Sequence, residues 1–271
     1  MRVFFDNSFF HVCDRRVELF LFLYTRKPVL GYRVEEKIRS IVEENAKHGR
    51  ITSIAISGGS QPLLLSPAFM ESTINWNQVH FYFSDERCVK LDDVDSNYGS
   101  WNNHFFSHVS SLYELSYRNL FLKTIYILLH RLFRIQREWQ NCVCKLVFIS
   151  RYNKDLQSLP INNGFPQFDI VLLGMGPDGH TCSLFPDHPQ VNEMNKWVTF
   201  IHDSPKPPSE RITLTLPVLN NAKSVFFVVT GKDKHSRMKE IIHHTASCPS
   251  ALIKPTHGEL IWFIDPDVMH I

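Results

Sequence analysis

Short apolar runs, each bounded by glycine, aspartate or serine, recur along the chain at 53–57, 79–84, 169–173, 224–230 and 260–264. None shows the apolar–polar alternation of a half-exposed strand, so each reads as a strand buried on both faces. Helical patterns lie at 34–47, ahead of the first run, and at 233–243, after the fourth. Strands that alternate with helices predict an α/β fold: an open, mostly parallel sheet with crossover helices. A proline-rich stretch, Ser204 to Pro208, leads into the alternating Arg211-Ile212-Thr213-Leu214-Thr215-Leu216, which reads as a further strand. Residues 1–31 and 115–150 carry no clean periodicity and predict no definite element.

Bulk properties narrow this picture. With 271 residues, 44% hydrophobic and 21% charged, the chain can build a sizeable core, and it is read as a single domain spanning 1–271. A formal net charge of +2 gives no general field for nucleic acid or an anionic membrane, so any anionic ligand must be held by a few placed cations. The apolar stretch 119–133 contains Lys123, His130 and Arg131 and does not predict a membrane span. The start of the chain is broken by Asp6, Asp14, Arg15 and Arg16, which excludes a secretory apolar core and favours a cytoplasmic protein. Six cysteines without two-residue gaps read as reduced thiols, and the absence of a His-Glu-x-x-His pattern among fourteen histidines predicts neither metal nor other cofactor.

In open parallel sheets, ligands sit beyond the carboxyl ends of the strands. Four polar or glycine-rich loops fall at those ends here. After 169–173 comes Gly174-Met175-Gly176-Pro177-Asp178-Gly179-His180-Thr181. Its glycines, Gly176 among them, let the backbone turn tightly and approach a ligand. His180 can take a proton from water near neutral pH, and Asp178, two residues away, can fix its tautomer. Ser57-Gly58-Gly59-Ser60 follows the first run and offers N–H groups and hydroxyls to a phosphate or carbonyl oxygen; read alone, it is equally a plain tight turn. Asp85 and Arg87 follow the second run and point the same way if the strand continues. Arg87 carries a fork suited to phosphate, although this spacing alone also describes a surface ion pair. Lys234 sits at a strand-to-helix turn after the fourth run, with Lys232 as the competing cation, and Arg211 is placed to reach the same edge.

Together these loops resemble the 6-phosphogluconolactonase family. The carrying motifs are Ser57-Gly58-Gly59-Ser60, Ser84-Asp85-Glu86-Arg87, Ser96-Asn97-Tyr98-Gly99 and, most specifically, Gly174 through Pro186. Asp203 to Pro208 and Arg211 to Asn220 add to it. The match covers about 34–105 and 165–265. It implies a fold of the glucosamine-6-phosphate isomerase and ribose-5-phosphate isomerase type. It also implies metal-free hydrolysis of 6-phospho-D-glucono-1,5-lactone, a small sugar-phosphate substrate, with His180 as general base. Asp85, Arg87, Arg211 and Lys234 fall at positions tied to the substrate and its phosphate. Two segments depart from the family pattern: residues 1–31, and an insertion at about 120–148. Two alternatives stand beside this reading. Aminosugar-phosphate isomerases share a Gly-x-Gly-x-Asp-Gly-His loop but continue with Asn-Glu-Pro rather than Thr181-Cys182-Ser183-Leu184-Phe185-Pro186. A sugar-phosphate-binding or scaffold protein without catalysis would keep the loops and lose turnover.

Overall fold

The apolar runs become neighbouring strands of one sheet, in a computed structural model that describes residues 9–14, 17–23, 27–109 and 142–269. In chain order, β1 (Phe9–Asp14) and β2 (Val17–Leu23) form an antiparallel pair. They are followed by α1 (Lys27–Lys47), β3 (Thr52–Ile56), α2 (Gln61–Glu71) and β4 (Val79–Phe83). Next come the short β5 (Asp85–Arg87), α3 (Asn97–Trp101) and α4 (Cys142–Leu156). The remainder contains β6 (Ile161–Asn162), β7 (Phe165–Pro166), β8 (Ile170–Leu173), β9 (Val198–Ile201), β10 (Arg211–Leu214), α5 (Leu216–Asn220), β11 (Ser224–Val229), α6 (His235–Ile242) and β12 (Glu259–Ile264).

The main sheet has the order β1-β2-β12-β11-β8-β3-β4, and every pairing except β1 with β2 is parallel. An open, mostly parallel α/β sheet is therefore what the chain forms. Successive side chains of each central strand enter opposite cores. Ile54, Ile170, Phe226 and Ile261 join α1 and α2 on one face, while Ala55, Val171, Val225 and Leu260 join Leu156 and Met238 on the other. That is why the runs lack alternation: both faces are covered, so no position can be polar without cost. Leu30, Val34, Ile38 and Val42 recur every four residues and form the buried stripe of α1. Each contributes roughly 1.5–3 kcal/mol on burial, enough to dock the helix without any specific bond.

Two expectations change. The sequence shows no period over 1–31, yet β1, β2 and the first turn of α1 lie there. The pairing of β2 with β12 joins opposite ends of the chain, Leu19 with Leu260, and such non-local backbone pairing leaves no local signature. The segment read as an insertion, about 120–148, falls for residues 120–141 outside the described residues. From Cys142 the chain is helical, and the Tyr152 hydroxyl donates to the Phe83 carbonyl, tying α4 to the end of β4.

A second, three-stranded sheet of order β5-β10-β9 is antiparallel and sets Arg211 opposite Arg87 and Thr213 opposite Asp85. Leu214 donates its N–H to the Ser84 carbonyl, so this small sheet hangs from the carboxyl end of β4. The chain leaves β3 toward β4 on one side and comes back to β8 on the other. The two connections diverge there, and a crevice opens at the carboxyl ends of β3 and β8.

Candidate active site

That crevice is a cleft of about 280 Å³, and its lining includes Ser57, Gly58, Gly59, Ser60, Asp85, Arg87, Gly176, His180, Arg211 and Lys234. Residues from separate loops, as distant in sequence as Ser57 and Lys234, thus meet at one sheet edge because the parallel strands that precede them end there.

The loop after β8 is closed on itself. Thr181 Oγ1 donates to the Gly174 carbonyl at 2.8 Å, Gly176 N–H donates to the His180 carbonyl at 2.9 Å, and Gly179 N–H to the Gly176 carbonyl at 2.9 Å. Within this ring, His180 Nδ1 lies 2.5 Å from Asp178 Oδ1. A Cβ at position 176 would stand 2.0 Å from His180 Cε1 and 2.6 Å from Asp178 Oδ1, so only glycine lets the pair close over the backbone. Gly179 has φ +82°, a conformation that disfavours any side chain.

Burial works against ionisation of Asp178, but its hydrogen bond and charge interaction with His180, the His180 N–H and the Lys206 ammonium more than offset it. The carboxyl is held well below the usual carboxylate range. With Nδ1 committed to Asp178, His180 keeps Nε2 for the cleft. Phe185 packs against the imidazole at 4.8 Å between ring centroids, and the Arg211 guanidinium lies 5.5 Å from the centroid of the same Phe185 ring.

The two arginines are held differently. Arg211, only 3% exposed, donates from Nε to the Pro208 carbonyl and from Nη2 to those of Lys206 and Pro207, so it fastens the proline-rich loop beside the cleft. Burial and the facing Arg87 charge draw its pKa down, while Asp85 acts in the opposite direction. Arg87 donates from Nη1 to the Asp95 carbonyl, and its buried Nε has no partner among the described residues. Asp85 does not stand as a surface ion: its Oδ2 accepts from Ser183 Oγ at 2.7 Å and its Oδ1 from Asn97 Nδ2 at 3.2 Å. Its neighbour Glu86 accepts from the N–H groups of Arg87, Asn97 and Tyr98, fixing the β5–α3 corner.

Of the two candidate lysines, Lys234 lines the cleft, with Nζ 2.7 Å from Asp233 Oδ2, whereas Lys232 is exposed and absent from the lining. Ser57 belongs to the cleft by position, but its hydroxyl turns back into the sheet, donating to the Leu172 carbonyl and meeting Ser84 Oγ at 2.6 Å. Its carbonyl accepts from Trp101 Nε1, which anchors the loop to the aromatic cluster of Phe69, Trp76, Trp101 and Phe105. Sequence reasoning gave no role to Lys206, whose Nζ lies 3.9 Å from Asp178, or to Gln61, buried in the cleft lining. Nothing local marks either one: a lysine among prolines and a glutamine at a helix start are ordinary residues until the fold brings the first beside Asp178 and the second into the cleft wall. Among the described residues, no group of three or more His, Cys, Asp or Glu is placed to hold a metal ion, and no helix is long and apolar enough to cross a membrane.

A family model described as glucosamine-6-phosphate isomerases/6-phosphogluconolactonase matches residues 27–262. The chain is 36% identical over 223 residues to the 6-phosphogluconolactonase of Homo sapiens, a match covering 79% of this chain and 78% of that protein. It is 37% identical over 246 residues to the probable 6-phosphogluconolactonase of Schizosaccharomyces pombe, covering 88% of each. Among solved structures, the 6-phosphogluconolactonase of Thermotoga maritima superposes with a TM-score of 0.71 at 27% identity, covering 91% of this chain and 99% of that one.

Proposed function

The chain belongs to the glucosamine-6-phosphate isomerase and 6-phosphogluconolactonase family, and on that premise we propose that it hydrolyses 6-phospho-D-glucono-1,5-lactone to 6-phosphogluconate in the cytoplasm, with His180 as general base. The observation that carries the reading is the Asp178–His180 pair, 2.5 Å apart, at the rim of a cleft that also holds Arg87, Arg211 and Lys234.

His180 Nε2 takes a proton from water as the water oxygen bonds to the lactone carbonyl carbon. Asp178, ionised and bonded to Nδ1, holds the tautomer that leaves Nε2 free and stabilises the imidazolium that forms. N–H groups of the Gly58-Gly59 turn and of Gly174-Met175 supply the donors for the oxyanion. When the carbonyl reforms, the bond from carbon to ring oxygen breaks and the imidazolium proton passes to that oxygen. A lactone is already an ester, so no covalent enzyme intermediate is required. Arg87 and Lys234 hold the phosphate at a distance from the reacting carbon and so fix its orientation. Two arginines opposed on adjacent strands repel one another, and an anion seated between them reverses the sign of that interaction.

The Thr181–Pro186 continuation supports lactone hydrolysis over aminosugar chemistry in structural terms. Thr181 closes the histidine loop, Ser183 orients Asp85, and Phe185 is the platform against His180. The test is lactone consumption, corrected for spontaneous hydrolysis, in the wild type and in His180→Ala. Turnover should fall by about 10²–10⁴-fold in the variant with the fold intact. Ammonia release from glucosamine 6-phosphate, or phosphogluconate binding without lactone turnover, would overturn the assignment.

A further inference from the structure

Gln61 is the first residue of α2 and is 1% exposed, yet its Nε2 has no hydrogen-bond partner among the described residues. Its Oε1 accepts from Ser57 N–H at 3.4 Å. That bond sets the orientation of the amide, because the flipped form would aim a donor at a donor. Nε2 therefore points away from Ser57. It lies 3.9 Å from where a Cβ of Gly174 would stand, between the Ser57–Ser60 turn and the start of the histidine loop. The residue lines the cleft. A buried amide N–H without an acceptor is uncommon in folded proteins, and this one belongs to a residue in the cleft wall beside a helix N-terminus.

We propose that Gln61 is a substrate-binding residue whose Nε2 donates to an uncharged oxygen of the sugar lactone, its carbonyl or a ring hydroxyl. This rests on the lactonase reading. A neutral donor on the floor of the cleft suits such an oxygen, whereas the phosphate is matched by the cations Arg87 and Lys234. Glutamine thus reads the sugar end and the cations read the charged end, which fixes the direction in which the substrate lies.

Two near-isosteric variants test this. Gln61→Leu removes the donor and the orphaned polar group together; Gln61→Glu replaces the donor with an acceptor. Each is assayed for kcat and KM on the lactone, for 6-phosphogluconate affinity by calorimetry, and for Tm. Gln61→Leu should lose at least about tenfold in kcat/KM, the scale of one hydrogen bond, with a Tm lowered only by the loss of the long Ser57 N–H contact, and Gln61→Glu, which keeps that acceptor, should lose more in kcat/KM with Tm held. The loss falls on kcat if the donor serves the carbonyl as it becomes an oxyanion, and on KM if it serves a hydroxyl; either supports the proposal. A merely structural glutamine would lower Tm and leave kcat/KM within about twofold, which overturns it. If Gln61→Leu does not fold, Gln61→Glu decides alone. Should the wild type lack lactonase activity, the functional reading fails separately. Phosphogluconate affinity then judges Gln61: weakened binding in the variants supports it, and unchanged or undetectable binding overturns it.

Discussion

Arg211 of β10 stands directly across from Arg87 of β5, one guanidinium almost fully buried and fastened to three backbone carbonyls, the other with a buried Nε that has no partner among the described residues. Like charges opposed on paired strands cost stability, so the arrangement is suited to an anion and poor without one. Arg87→Gln should raise KM by roughly 10–10²-fold, the equivalent of one charge-assisted bond, with little change in kcat and no fall in Tm. Arg211→Met, in contrast, strands the carbonyls of Lys206, Pro207 and Pro208 and should cost about 3 kcal/mol or more of stability. Steady-state kinetics and thermal melts separate the two; equal behaviour of the variants would count against this division of roles.

In the proposed mechanism Asp178 acts through His180. Asp178→Asn keeps the shape but presents an amide in place of the acceptor, and kcat should drop by about 10²–10⁴-fold with KM nearly unchanged. Because the His180 and Lys206 contacts outweigh burial and hold Asp178 well below the usual carboxylate range, it stays ionised on acidification and adds no proton of its own to the pH profile. The acid limb of log kcat/KM should then fall with the slope of one proton. A two-proton slope would show that Asp178 itself takes up a proton in that range.

Gly176→Ala tests the closeness of that pair to the backbone. The added methyl would meet His180 Nδ1 at 2.1 Å, and neither the ring nor the closed loop can yield without breaking the bond to Asp178. Turnover should fall by at least about 10²-fold, the scale expected when a catalytic group is displaced by an ångström. Retained activity in a folded variant would mean that the loop is softer than its internal hydrogen bonds suggest.

Glu86 provides a pH signature of stability. Burial raises its pKa to about 7, the three N–H donors pull it back in part, and the Asp85 charge adds to the rise. Its folded-state value lies above the unfolded one, so between roughly pH 4.5 and 7 the folded chain binds the extra proton and stability declines as pH rises through that window. The amide introduced by Glu86→Gln does not titrate. The Tm advantage of the wild type over this variant should therefore shrink between about pH 5 and about pH 8. An unchanged gap would mean that the N–H donors outweigh burial and keep the carboxylate ionised throughout the window.

The sequence alone determined the parallel α/β sheet, since strands covered on both faces must be apolar at every position, and β3, β8, β11 and β12 each fall within one residue of their apolar runs. It also placed the loops that line the cleft, because residues that follow parallel strands must collect at one edge. Asp178 and His180 were legible as a pair through their spacing inside a glycine-rich turn. Other features depended on the fold. Lys234 rather than Lys232 faces the cleft because the turn after β11 aims one lysine inward and leaves the other exposed. The Ser57 hydroxyl turns into the sheet because β8 lies beside β3 and offers the Leu172 carbonyl. Arg211 meets Arg87, Phe185 meets His180, and Gln61 reaches the floor of the cleft only through strand order and register. Burial and strand formation are read from near neighbours along the chain. The aim of a side chain is settled by groups that are distant in sequence, and only packing brings those together.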